Sequence, residues 1–226
     1  MILTFTGRLI DPFELKSKDV SIRDIAHALS QTCRWGGHTS RHYSVAEHCV
    51  RLSEYASCEE TLKSIDAQFL SEDEREDLAQ VLLMHDAAEA YLTDVPKPYK
   101  DRPEFRPFVE FERSVQTKIQ EFYGIDGFRQ VVFSAAHKLD QRIIGNEAKE
   151  LLPIERMQVG FVRPLPGFPD VKYRAGRQLY PSSSGGSTNE RPHGWVTEDH
   201  TPWGWTAERA EAIFLDQYTR LFGDTE

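Results

Sequence analysis

Apolar positions along most of this chain recur at the three- and four-residue spacing of one helix face, so the pattern predicts a mainly helical protein. The start is an exception: Ile2, Phe5, Leu9 and Ile10 around Gly7 predict a short strand pair over 2–10. Ser21 with Asp24 reads as a capping box opening a helix to about Gln31, and Ser44 with Glu47 opens another through about Ala56. Ser71 with Glu74 opens a third, predicted to run unbroken toward Leu92 until Pro96 and Pro98 stop it. Further helices are expected near 104–123 and 129–151, separated by Gly124-Ile125-Asp126-Gly127. Thr206 caps a last one, which lines up Ala210, Ile213, Phe214, Tyr218 and Leu221 on one side. The fold class expected is all-α, a helical bundle with a short N-terminal strand pair.

Residues 157–205 break this pattern. They are rich in Pro, Gly and Ser, and SSSGGSTNERPHG approaches low complexity. Phe161, Phe168, Tyr173, Tyr180, Trp195, Trp203 and Trp205 nevertheless make the stretch too aromatic for a free linker. It reads as a long irregular excursion before the last helix, inserted in one domain spanning 1–226, with a mobile tip expected around 182–192.

Composition narrows the partners. A net charge of −9 argues against a chain that grips duplex nucleic acid through its overall field. No apolar run approaches the roughly 20 residues needed to span a bilayer, and MILTFTGRLIDPF lacks the basic region and apolar core of a signal peptide. Three cysteines without a CxxC pair predict reduced thiols, and with them a cytoplasmic location.

Candidate chemistry centres on His85-Asp86 in VLLMHDAAEAYLTDVPKP. The doublet offers an imidazole nitrogen and a carboxylate oxygen amid apolar neighbours. Burying such groups is costly unless they are paired or coordinate a metal. His48 in SVAEHCV, on the Ser44 helix, and Asp140, within AAHKLDQRIIGNEAKELL, supply two more ligands from other helices. Alone, His48 reads as a satisfied core histidine and Asp140 as an aspartate paired with Lys138 or Arg142. Together, two histidines and two aspartates on separate helices can converge in a bundle core. Mixed nitrogen and oxygen ligation suits one divalent ion of the Mn, Fe, Co, Ni or Zn group. His42 is a rival first ligand, although its neighbours are polar.

A His, then His-Asp, then a distant Asp resembles the signature of the HD-domain phosphohydrolases. Here 37 residues separate His48 from His85, and 54 separate Asp86 from Asp140. Within that group the chain is similar to bacterial 5′-deoxynucleotidases and to phage dATP triphosphohydrolases. The matching segments are CRWGG, SVAEH, HDAAEAYLTDVPKP and LD, in that order between about Ile22 and Leu152. The resemblance implies an HD-domain bundle with His48, His85, Asp86 and Asp140 as metal ligands. It implies that Glu89 and Asp94 handle the attacking water and leaving group, and that Arg34 and Trp35 read the deoxyribose and nucleotide. It also implies a homo-oligomer, a dimer or larger.

The residues themselves fit those roles. Arg34 offers a rigid fork of donors for phosphate or sugar oxygens. Trp35 can stack on a base or pack against C2′ of a deoxyribose, or simply fill core, and Asp94 can equally be a turn aspartate. Lys97 and Lys100 can meet outer phosphates or remain solvated. The expected reaction is hydrolysis of a deoxynucleotide at the α-phosphorus, with a monophosphate or a triphosphate as substrate. Alternatives are an HD hydrolase of another phosphorylated nucleotide, a catalytically silent nucleotide-binding module, and a di-iron protein, for which the sequence lacks a second ligand set.

Overall fold

The computed structural model describes residues 1–152 and 203–223, and the structural statements below concern those residues. The excursion expected over 157–205 therefore lies outside them, apart from 203–205.

At the N-terminus, β1 (Ile2–Leu3) pairs antiparallel with β2 (Leu9–Ile10), Ile2 facing Ile10 and Leu3 facing Leu9. The rest is helical: α1 (Ile22–Gln31), α2 (Val45–Tyr55), α3 (Glu59–Ser64), α4 (Glu72–Met84), α5 (Glu89–Leu92), α6 (Lys97–Lys100), α7 (Arg106–Phe122), α8 (Gln130–Leu151) and α9 (Ala207–Phe222). No helix among them is long and apolar enough to cross a membrane. The short α3 and α6 carry no apolar period of their own, and the sequence pattern did not announce them.

The three capping signals play out differently. At α4 the box is complete: Ser71 Oγ accepts from the Glu74 amide at 3.2 Å, and Glu74 accepts from the Ser71 amide at 3.0 Å. At α2, Ser44 accepts from the Glu47 amide, but the Glu47 carboxylate is needed elsewhere. It takes Arg51 Nε at 2.8 Å and the amides of Gly204 and Trp205 at 3.0 and 2.7 Å. Gly204 permits this approach, because a Cβ there would run into the Arg41 side chain and the His42 carbonyl. At α1 the expected Ser21–Asp24 box does not form. Asp24 instead accepts from the Thr6 amide and hydroxyl at 2.7 and 2.8 Å, which fastens the hairpin turn to the bundle.

The Ser71 helix also departs from expectation, ending at Met84 rather than continuing to Leu92. Through 85–88 the chain tightens into i to i+3 bonds, including Glu89 N to Asp86 O at 2.9 Å and Ala90 N to Ala87 O at 3.2 Å. Gln116 of α7 supports this stretch. Its amide nitrogen donates to the Met84 carbonyl at 2.7 Å and its oxygen accepts from the Ala88 amide at 3.0 Å.

Two apolar clusters form the core. One joins α1, α2, α4, α5, α7 and α9 through Ile25, Leu29, Val50, Leu83, Tyr91, Ile119 and Phe214. The other joins α2, α3, α4 and α8 through Leu52, Leu62, Leu78, Leu82 and Leu139. Each fully buried aliphatic side chain contributes about 1.5–3 kcal/mol. That burial locks α2, α4 and α8 side by side, with His48, His85 and Asp140 between them.

Candidate metal centre

His48 lies in the first turns of α2 and is fully buried. Its Nε2 is 3.2 Å from His85 Nε2, 3.3 Å from Asp140 Oδ1 and 3.8 Å from Asp86 Oδ2. His85 Nε2 lies 3.2 Å from Asp86 Oδ2 and 3.7 Å from Asp140 Oδ1. For metal–ligand bonds of about 2.0–2.2 Å, adjacent donors on a tetrahedral or octahedral ion stand about 3.0–3.6 Å apart. His48, His85 and Asp140 thus present one atom each at spacings that suit one divalent ion, and Asp86 Oδ2 lies within 3.8 Å of both histidine Nε2 atoms. Cys49 Sγ sits beside the group, 3.7 Å from His85 Nδ1, and with His85 and Asp86 forms an overlapping set.

The outer nitrogens of the two histidines strengthen the fit. His85 Nδ1 contacts the Leu82 carbonyl at 2.7 Å, and His48 Nδ1 contacts Glu147 Oε1 at 2.6 Å. An acceptor at Nδ1 holds the proton there and leaves the Nε2 lone pair facing inward, the usual arrangement of metal-binding imidazoles. His42 is not part of the cluster, since its nitrogens meet the Ser30 carbonyl and Cys33 Sγ.

Electrostatics follow from this crowding. Burial raises Asp86 and Asp140, but the two imidazoles, with Arg34 beside Asp86, hold both far below the usual carboxylate range. Burial lowers His85, but the charges of Asp86 and Cys49 and the hydrogen bonds to Asp140 and Asp86 together outweigh it, leaving the imidazole well above its usual value. Glu89 runs the other way. Burial and the charges of Asp86 and Asp94 push its carboxyl up to about 9, against the pull of Lys100 and Arg34. In the tight turn Glu89 is aligned three residues after Asp86, rather than four after His85 along a regular helix.

Glu89 Oε1 receives Lys100 Nζ at 3.3 Å, while its buried Oε2 has no hydrogen-bond partner. Lys100 is held in turn by Glu112 of α7 at 2.8 Å. Lys97, the other lysine of that segment, is exposed and pairs with Asp101. Asp94 is half-buried, and burial raises its carboxyl. Thr93 precedes it with φ 75° and ψ 156°, a region that glycine alone tolerates well.

A cleft of about 420 Å³ opens beside the cluster, lined among others by His85, Asp86, Glu89, Lys100, Arg113 and His137. Its size suits a small molecule. Arg34 and Trp35 do not line it; they approach the cluster from a short 3₁₀ turn over Arg34–Gly37. Arg34 reaches Asp86 at 3.4 Å and Glu147 at 3.5 Å, and Trp35 Nε1 donates to Glu147 Oε2 at 3.0 Å. Trp35 adopts φ 58°, ψ 23°, an uncommon left-handed conformation for a bulky residue.

Three supporting residues escaped the sequence reading. Glu147 is fully buried, and Gln116 and Tyr43 serve the same region. Only Glu147 left a trace, since it follows Asp140 by seven residues and so shares its face of α8.

Comparison with known proteins adds relatives without an assigned activity. The chain is 34% identical over 125 residues to the uncharacterized protein YfdR of Escherichia coli, which covers 55% of this chain and 58% of that protein. It is 36% identical over 98 residues to an uncharacterized protein of Rhodobacter capsulatus, covering 42% of this chain and 44% of the other. The chain thus spans about half the length of the curated relatives it matches. No family model matches it.

Proposed function

We propose that this chain is an HD-domain phosphohydrolase that uses one divalent transition-metal ion to hydrolyse 5′-deoxynucleotides at the α-phosphorus. The observation that carries the proposal is the pairing of a two-histidine, two-aspartate cluster with a buried carboxyl, Glu89, whose Oε2 has no partner and whose pKa is pushed to about 9. Perturbed carboxyls of this kind gather where proton transfer is needed. The order of the CRWGG, SVAEH, HDAAEAYLTDVPKP and LD segments supports the nucleotide class by resemblance.

His48, His85, Asp86 and Asp140 would hold the ion. When bound, it supplies Lewis acidity toward a phosphoryl oxygen and toward water. Glu89 moves the proton. Lys100 fixes Oε1, so Oε2 is the atom free to accept from the water that attacks phosphorus. Positive charge brought to the neighbouring ligands favours the ionised, proton-accepting form of Glu89. As the bond between phosphorus and the 5′ oxygen breaks, Asp94 would return a proton to that oxygen, since burial helps its carboxyl hold one. Arg34 can shift a donor from Asp86 to a phosphate or sugar oxygen without leaving the site. Trp35 offers an indole face on the same turn.

The test is a product assay. Purified chain with Co²⁺, Mn²⁺ or Zn²⁺ is offered deoxynucleoside monophosphates, deoxynucleoside triphosphates and ribonucleotides, and the products are separated by chromatography. A deoxynucleoside with inorganic phosphate identifies a nucleotidase, and one with triphosphate identifies a triphosphohydrolase. Metal binding without turnover of any nucleotide overturns the enzyme reading and favours a silent binding module.

A further inference from the structure

Glu147 divides its two carboxylate oxygens between two tasks. Oε1 meets His48 Nδ1 at 2.6 Å and Tyr43 Oη at 2.9 Å. Oε2 meets Trp35 Nε1 at 3.0 Å and the Arg34 guanidinium at 3.5 Å. The first oxygen faces a metal ligand, with Arg34 Nε also 3.5 Å from it, and the second faces the Trp35 indole and the end of the Arg34 guanidinium. Asp86 also meets the turn, through Arg34 at 3.4 Å, but as one of the expected ligands itself. The side chain is fully buried, so water cannot substitute for a missing partner.

We propose that Glu147 is a positioning residue that couples the two halves of the site, selecting the metal-binding tautomer of His48 with Oε1 and holding the Arg34–Trp35 turn with Oε2. The proposal rests on the metal-centre reading above and extends it to a residue outside the ligand set.

An ionised carboxylate only accepts, so the ring nitrogen against it must carry the proton. The proton on His48 therefore sits at Nδ1, and Nε2 keeps its lone pair toward His85, Asp86 and Asp140. The indole of Trp35 and the guanidinium of Arg34 can only donate, so the other oxygen is equally committed. Trp35 sits in a left-handed conformation at φ 58°, which persists only when surrounding contacts impose it. The indole bond to Oε2 is such a contact.

A glutamine at 147 has nearly the same shape but one acceptor and one donor group. Two obligate donors, one of them charged, claim its oxygen, and its NH₂ then turns toward His48 Nδ1. Nδ1 must become the acceptor, and the ring proton moves to Nε2, where it blocks coordination.

The experiment compares Co²⁺ affinity of the wild-type chain, Glu147→Gln and His48→Ala by isothermal titration, with near-UV circular dichroism as the fold check. Glu147→Gln should stay folded and bind Co²⁺ roughly 10- to 100-fold more weakly, the usual effect of losing an outer partner of a metal ligand. Wild-type affinity in a folded Glu147→Gln variant overturns the inference and leaves the metal centre standing. A wild type that binds Co²⁺ no better than His48→Ala overturns both. A second measurement needs no variant at Glu147. Heteronuclear NMR of the imidazole nitrogens in the chelator-treated wild type, under mildly alkaline conditions, should place the His48 proton on Nδ1, whereas a free histidine prefers Nε2. A proton on Nε2 overturns the inference even if Glu147→Gln fails to fold.

Discussion

Lys100 Nζ lies 3.3 Å from Oε1 of Glu89 and leaves Oε2 of the same carboxylate without a partner, so the two oxygens are chemically distinct. One is anchored to a cation that Glu112 also holds, and the other is available for proton transfer. This asymmetry separates the role of Glu89 from that of the ligands beside it.

Replacing Glu89 by glutamine should therefore leave metal binding intact and cut kcat by roughly 10²- to 10⁴-fold, the usual worth of a positioned acid or base. Titration of Co²⁺ alongside the nucleotide assay checks both halves. A fully active Glu89→Gln variant shows that another group handles the proton.

Asp86→Ala should behave differently. It deletes a donor that stands 3.2 Å from His85 Nε2, and it also removes one of the two carboxylates that meet Arg34. Co²⁺ affinity and turnover should fall together. Elemental analysis of the dialysed protein gives the direct reading; retention of a full metal equivalent removes Asp86 from the ligand set.

The raised Glu89 carboxyl makes the metal-free chain sensitive to alkali. Its folded value is about 9, against a usual 4.5. Between those values the folded state binds more protons than the unfolded one, so stability falls as pH rises through that window. His85, also raised, has the same sign: its contribution is full below its usual value and is lost as pH climbs through the folded one. Chelator-treated protein should melt at lower temperature near about pH 8.5 than near about pH 5.5, and Glu89→Gln should flatten part of that slope. An unaltered slope in the variant contradicts the assignment.

Glu47 gives a prediction about stability alone. Its carboxylate holds Arg51 and the amides of Gly204 and Trp205 in the interior. Glu47→Ala leaves a buried guanidinium and two amides without that partner, at a cost of about 3–5 kcal/mol. Urea denaturation monitored by Trp fluorescence reads the loss. A shift of less than about 1 kcal/mol places these groups within reach of water.

Local signals reached as far as local physics extends. The complete Ser71–Glu74 box, the Thr206 cap and the Ile2–Ile10 pairing each depend on a few adjacent residues, and all three formed. The Ser21–Asp24 box failed because Thr6 offers Asp24 two donors from 18 residues away, and Ser44–Glu47 formed only half because Arg51 and residues 204–205 claim the carboxylate. His48, His85, Asp86 and Asp140 could be picked out because ionisable groups amid apolar neighbours need a reason to be there. Glu147 sits in GNEAKELL beside Lys149 and Glu150, so charged neighbours mask its burial in the sequence. Gln116 was invisible for another reason: the broken turn it mends cannot be seen until α4 stops at Met84.

Thr93 connects the turn of Glu89 to Asp94 through a backbone conformation that suits glycine, and a β-branched residue held there costs of order 1–3 kcal/mol. Glycine would relieve that strain and also loosen the unfolded chain by about 0.4–1 kcal/mol, for a net gain in melting temperature. The same change would let Asp94 sample many directions instead of one. Thr93→Gly should thus produce a more heat-resistant and slower protein, a trade between global stability and local rigidity set at a single residue between two carboxylates.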